Sequence, residues 1–352
     1  MMESGTAQIR FPFPEPPLPG TATELAEGVL WMRLPLPMAL DHVNVYALDD
    51  GDGWTIIDTG FATAKIRAVW DDLLAGPLGF RPVRRVVATH HHPDHIGLAG
   101  WFQDQGAELL TTRTAWLFAR MLTLDVQALP SPEQLAFWRG AGMAPDVFAR
   151  RSVEKPWIFA DVVAPLPLGF ARLVEGQVLR MGGRDWVVRM GDGHAPEHAT
   201  FWDTAGDLVI GGDQLLPGIS ANIGVYATEP DADPLAEWMV ACARMRDHAT
   251  PAQLVLPGHK LPFRGLPLRL RQMVDNHHGA LSRLRAHLAS PRVAADCFVP
   301  LFGREITGDA YGLALVESVA HLNHLLALGE VARVRRDDGA WLWQATGAQV
   351  AP

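Results

Sequence analysis

Apolar and polar positions alternate in short runs along the first third of the chain. "VLWMRLPLP" from Val29, "HVNVYALDD" from His42 and "GWTIIDTG" from Gly53 are β-type stretches broken by Pro, Asp and Gly, which predicts successive strands. "ATAKIRAVWDDLLAG" then carries apolar residues at helical spacing and stops at Gly76. "VRRVVATH" reads as a buried strand ending at His90, "GLAGWFQDQG" as a helix and "AELLTT" as a further strand. Strands and helices that alternate in this way predict an α/β layer architecture.

The rhythm breaks at residues 114–160. "TAWLFARMLTLDVQAL" and "SPEQLAFWRGAGMAPDVFARRS" read as helices rich in Trp, Phe and Met. They suit either plain packing or an inserted cap whose Trp116, Phe118, Phe137 and Trp138 wall an apolar pocket. Strands resume with "RLVEGQVLRMGGRDWVVRMGDGH", "ATFWDTAGDLVIGGD" and "LVLPGH". Beyond Pro262 two long helical stretches, "LRLRQMVDNHHGALSRLRAHL" and "GDAYGLALVESVAHLNHLLALGEV", precede a hairpin, "ARVRRDDGAWLWQA", with a "DDG" turn. Helix, helix and hairpin form the pattern of a winged-helix module. The expected division is an extended, proline-rich lead-in over 1–24, a main domain over 25–265 and a small C-terminal domain over 266–352.

Composition narrows the function classes. The 352 residues carry a net charge of −9, and the acidic excess argues against nucleic acid or an anionic membrane as a general partner. From Leu266 onward there are nine Arg, no Lys and eight acids, so the C-terminal part is near neutral. It is expected to build a pocket wall or a homodimer contact and not to bind RNA, although Arg269, Arg271, Arg283 and Arg285 recur along one helix. The two cysteines, Cys242 and Cys297, are expected to be reduced core thiols in a cytoplasmic protein. The first 20 residues hold no apolar stretch of signal-peptide type, and no run approaches a membrane span of roughly 18 apolar residues.

One stretch carries chemistry. "VVATHHHPDHIGLAG" packs four histidines and an aspartate between His90 and His95. Imidazole nitrogens and carboxylate oxygens are the ligands of zinc and similar ions. His90 and His92 lie two apart and can converge in an extended turn, His91 points away, and Asp94 and His95 open the next helix. Three later strand ends offer the same ligand types: His194 in "GDGHAPEH", Asp213 in "VIGGDQ" and His259 in "VLPGHK". The pair His277–His278 reads as a packing or solvated feature, and His198 as structural.

The order "HHHPDH … GH … GD … GH", with "IIDTG" ahead of it, resembles the metallo-β-lactamase superfamily over roughly residues 25–262. The resemblance implies an αββα sandwich with two facing sheets and a dinuclear site at one edge. One divalent ion would be held by His90, His92 and His194, the other by Asp94, His95 and His259, with Asp213 bridging. Zinc is the default, with iron or manganese as alternatives. Two such ions lower the pKa of a shared water and clamp a developing oxyanion, so Asp94 and Asp213 are placed at the catalytic centre and no Ser or Cys nucleophile is needed. Asp58 would orient ligands from behind. Lys260 and Tyr226 are candidate substrate contacts, and His42 and Asn44 could face the site.

The leading expectation is hydrolysis of a carbonyl ester, a thioester or a lactone. "THHHPDH" is similar to glyoxalase II, but that enzyme's glutathione-binding tail is not matched. A metal-dependent endoribonuclease or phosphodiesterase is the second reading. A diiron redox module ranks lower because no flavodoxin-like segment follows. A β-lactamase also ranks lower because His95 gives the D-H and not the D-R form.

Overall fold

A computed structural model describes residues 8–347. Residues 1–7 of the expected lead-in lie outside the described part. Residues 8–22 form no helix or strand beyond a single bridge between Arg10 and Arg264.

By its internal contacts the chain divides into two compact units. The first comprises the chain up to Val126, Ile158–Ala221 and Arg244–Leu270. The second comprises Gln127–Trp157, Asn222–Ala243 and the chain from Arg271. The 114–160 segment is therefore not one insertion. Its first helix, α4 (Arg113–Leu124), belongs to the first unit, and α5 (Pro132–Gly140) and α6 (Pro145–Arg151) belong to the second.

The first unit contains two sheets. The larger runs in sequence order through β1 (Thr23–Ala26), β2 (Val29–Pro35), β3 (His42–Asp49), β4 (Trp54–Ile57), β5 (Val83–Val87), β6 (Glu108–Thr111) and β7 (Ala171–Arg172). It is antiparallel as far as β4 and parallel from there. The switch follows from connection length, because the parallel pairs are joined through helices α1 (Ala64–Ala75), α2 (Pro93–Ile96) and α3 (Ala99–Asp104). The second sheet has the order β12 (Leu254–Pro257), β11 (Leu208–Gly212), β10 (His198–Asp203), β9 (Arg184–Gly191), β8 (Val178–Met181).

Period-two alternation explains the layering. In β3 the odd positions Val43, Val45 and Ala47 join one core with Ile66, Trp70 and Leu73 of α1 and Phe102 of α3. The even positions Tyr46 and Leu48 join another with Trp186, Val188, Phe201, Ile210 and Leu256 of the second sheet. The larger sheet is thus buried on both faces, by helices on one side and by a sheet on the other. This is the mixed α/β sandwich that the motif order implied.

The second unit holds most of α8 (Leu266–His287), with α9 (Phe298–Phe302), α10 (Ala310–Ala327) and a hairpin of β13 (Val331–Arg335) and β14 (Trp341–Ala345). Gly339 in the "DDG" turn adopts φ +91°, as the tight reversal requires. One helix escaped the sequence reading, α7 (Pro234–Arg246). Its signal is present: Asp233 Oδ1 accepts the Ala236 N–H, Pro234 follows, and Leu235, Trp238, Cys242 and Met245 recur at helical spacing. Cys242 and Cys297 are both buried, and neither is in a disulfide. Among the described residues no helix is long and apolar enough to cross a membrane.

Candidate metal centre

The chemistry-bearing residues of the first unit sit at strand ends or in the short helix that follows one. β5 runs out through Ala88 and Thr89 into His90, and Pro93 at the first position of α2 sets the turn that brings His92, Asp94 and His95 back toward it. His194 follows β9, Asp213 follows β11 and His259 follows β12. Rigid strand ends hold the side chains, while the turns free them from the sheet ladders.

The ring nitrogens converge. His90 Nε2 lies 2.9 Å from His92 Nδ1, which lies 3.0 Å from His194 Nε2. Asp213 Oδ2 is 3.4 Å from His95 Nε2, 3.5 Å from His194 Nε2 and 3.2 Å from His259 Nε2. Asp94 Oδ2 is 3.6 Å from His95 Nε2 and 3.4 Å from His259 Nε2. Three sets have ligand atoms within 4.8 Å of one another: His90, His92 and His194; His90, His95 and Asp213; and Asp94, His95 and His259. All seven residues expected at the centre are brought together.

The surrounding hydrogen bonds fix which nitrogen faces inward. His90 Nδ1 donates to Thr89 Oγ1 at 3.0 Å, and that hydroxyl donates to Asp58 Oδ2 at 2.9 Å. His95 Nδ1 donates to the same Asp58 oxygen at 2.8 Å. His259 Nδ1 donates to the backbone carbonyl of His42 at 2.7 Å. Each of these rings therefore turns Nε2 inward, the nitrogen left to bind a cation or, in its absence, a proton. His95 Nε2 and Asp213 Oδ1 have no hydrogen-bond partner although they are buried. Buried carboxylates among inward-facing ring nitrogens call for positive charge between them. The residues fit divalent cations on that ground, and the donor set of imidazole and carboxylate suits zinc, iron or manganese.

Electrostatics point the same way. Burial, reinforced by neighbouring imidazoles, holds His90 and His92 well below the ordinary histidine range. Burial opposes protonation of His259, yet Asp213 and then Asp94 outweigh it and push the ring up to about 10. For His95 the carboxylates Asp213, Asp94 and Asp58 likewise overcome burial and raise the ring well above its usual value. Asp213 is held well below the carboxylate range because His259 and His95 outweigh its burial. The carboxylate half of the cluster thus demands cations, and the imidazole half rejects protons.

Asp58 sits behind the centre, not in it. It adopts φ +59° at the end of β4 and accepts from Thr89 N as well as from the Thr89 hydroxyl and His95. His91 points away, against Phe118 at 5.2 Å and Phe159 at 6.3 Å between ring centroids. His198 stacks on His90 at 4.5 Å, and its Nε2 accepts the Asp213 N–H. His42 and Asn44 do not face the cluster. They hold the turn that carries His259: Asn44 Nδ2 donates to Pro257 O and Lys260 O, its backbone N–H donates to Gly258 O, and His42 Nε2 accepts the Lys260 N–H. Burial lowers His42 to about 4, so the ring is neutral and can accept that bond. Tyr46 completes the set with a 2.7 Å bond to Pro257 O. The period-two triplet His42, Asn44, Tyr46 on β3 was the sequence signal for this support, as was Thr89 beside His90.

Tyr226 is not among the gathered residues. It belongs to the second unit, where it is half exposed. His277 is also in that unit, buried, with Nδ1 3.2 Å from His321 Nε2.

Known proteins resemble this chain in sequence and fold. Residues 38–259 match the metallo-β-lactamase superfamily, and residues 281–346 match the metallo-β-lactamase-like C-terminal domain. A Bacillus subtilis protein named probable metallo-hydrolase YqjP is 26% identical over 309 residues, covering 86% of this chain and 93% of its own length. The acyl-coenzyme A thioesterase MBLAC2 of Gallus gallus is 24% identical over 248 residues, covering 67% of this chain and 78% of that protein. A solved β-lactamase domain protein from Burkholderia ambifaria superposes with a TM-score of 0.88 at 35% identity, over 96% of this chain and 98% of its own. The family protein TTHA1429 from Thermus thermophilus gives a TM-score of 0.76 at 26% identity, over 92% and 100%. The chain belongs to the metallo-β-lactamase superfamily.

Proposed function

We propose that the protein is a metal-dependent hydrolase of carbonyl esters, with acyl thioesters first among its substrates and lactones next. The observation that carries this reading is the convergence of seven ligand-type side chains on one point. With Nδ1 committed outward, Nε2 of His90, His95 and His259 is turned inward, where Asp94 and Asp213 lie. A pair of divalent cations held there, most simply zinc, would supply an activated water and a clamp for a developing oxyanion.

The chain's own residues do the rest. His90, His92 and His194 form one ligand set and Asp94, His95 and His259 the other, with Asp213 Oδ2 within 3.5 Å of members of both. Asp58 and the His42 carbonyl keep the His95 and His259 tautomers in the ligating form. Phe118 and Phe159 pack against His91, so the side of the ligand strand away from the cluster is apolar. The thioesterase name of the Gallus gallus relative favours thioesters over phosphodiesters.

The test is a hydrolysis screen of metal-loaded protein across acyl thioesters, lactones, β-lactams, phosphodiesters and RNA. Thioesters are expected to give the highest kcat/KM. Preferential cleavage of RNA or of a phosphodiester would replace this reading with the nuclease one.

A further inference from the structure

Lys260 directly follows His259 and is, among the described residues, one of four non-glycine residues in the left-handed backbone region, at φ +70°. Glycine is the residue that adopts this conformation without strain, so a lysine there asks for a reason. Two of the other three have one in their side chains. Asp58 takes three hydrogen bonds from Thr89 and His95, and Glu197 accepts the Thr114 N–H. Phe80 sits in an exposed turn after α1.

Lys260 differs from all three. Its N–H goes to His42 Nε2 at 2.9 Å, and its carbonyl accepts from Arg33 Nη2 at 2.8 Å and Asn44 Nδ2 at 2.9 Å. Three side chains of β2 and β3 thus hold the strained backbone. The ammonium, by contrast, makes no hydrogen bond or ion pair among the described residues. Its charge is felt at Asp41, whose carboxylate is already engaged by His42 Nδ1 at 2.5 Å. A cation held one residue from the cluster, with no internal partner, is built to meet an external anion.

We propose that Lys260 selects substrates carrying a negative group, a carboxylate or a phosphate, on the part of the molecule near His259. His42, Asn44 and Arg33 are the positioning residues that fix it. This specificity rests on the ester-hydrolase reading above, and its test is arranged so that the two can fail separately.

The metal-loaded full chain and its Lys260→Met, Lys260→Arg and Lys260→Gly variants are compared on two N-acetylcysteamine thioesters, glutaryl with a terminal carboxylate and hexanoyl without one. Calorimetric titration with glutarate, together with metal content, supplies a readout independent of turnover. Lys260→Met is expected to lower the glutaryl-to-hexanoyl ratio of kcat/KM at least tenfold, through KM, and to weaken glutarate binding to a similar degree at unchanged metal content. Lys260→Arg restores part of both. Lys260→Gly loses the preference while keeping the thermal midpoint, which separates the charge from the backbone. A ratio and a glutarate affinity within twofold of wild type in Lys260→Met would overturn the proposal. If no thioester is hydrolysed at all, the ester reading fails, and the glutarate titration still decides the role of Lys260.

Discussion

Replacing Gly258 by alanine tests whether Asp213 and His95 are held as tightly as the geometry says. A Cβ at Gly258 would stand 2.2 Å from Asp213 Oδ1 and 2.8 Å from His95 Cε1, with the Gly212 carbonyl carbon at 3.2 Å. Ordinary contact begins near 3.4 Å, so the carboxylate must retreat by about 1 Å. It cannot do so freely. Its backbone N–H is bound to His198, and Gly258 N–H is bound to Gly212 O at 2.8 Å. Gly258 is not in the left-handed region, so alanine meets no backbone penalty, and the whole effect is the added methyl. A displacement of about 1 Å at a reacting centre costs on the order of 10²-fold in rate, or about 2.7 kcal/mol of barrier. Overpacking should lower stability by only about 1–3 kcal/mol. The assay is kcat/KM on the best thioester from the screen, beside metal content and the urea midpoint. Gly218→Ala is the control, because nothing lies within 4 Å of a Cβ there. A Gly258→Ala protein with wild-type rate and metal content would refute the placement of Asp213 in the centre.

Two further outcomes follow from the hydrogen bonds. Asp58→Asn sets an amide N–H against His95 Nδ1–H, forcing the ring to turn its proton toward Asp213; metal affinity should fall about 10- to 100-fold, read by chelator competition, and an unchanged affinity would remove Asp58 from its supporting role. Glu317 in the second unit accepts a 2.7 Å bond from Asn222, and burial pushes its carboxyl up to about 7. The folded state therefore holds its proton more tightly than the unfolded chain, so the protein loses stability as pH rises from about 4.5 to about 7 and then levels. Glu317→Gln should leave stability unchanged at pH 4 and raise it at pH 8 by up to about 3 kcal/mol, and equal denaturant midpoints at both values would contradict the assignment.

The sequence made the centre legible because its ligands are local signals. Each of His90, His194, Asp213 and His259 lies at the end of a run that reads as a strand, and chain order alone matches them to a family. The support around them was less visible. His42 and Asn44 drew notice as polar residues in an apolar strand, but their partners lie more than two hundred positions away, at Pro257 and Lys260, and no periodicity reports such pairings. The division of residues 114–160 between two units has the same cause: helical spacing identifies α4, α5 and α6, but which core each one joins depends on distant contacts. Helix α7 has a local signal in Asp233 and Pro234, but its apolar positions lie between the Asp213 and His259 strand ends in a stretch whose turns and prolines hide the spacing.

The central claim is that seven residues build a centre for two cations. Apo protein prepared by chelation should be titrated with zinc by calorimetry and the loaded protein analysed for metal. Two equivalents per chain are expected in the wild type and about one in Asp213→Ala, with turnover appearing only on loading. One equivalent or fewer in the loaded wild type, or the same stoichiometry and rate in Asp213→Ala, would contradict it.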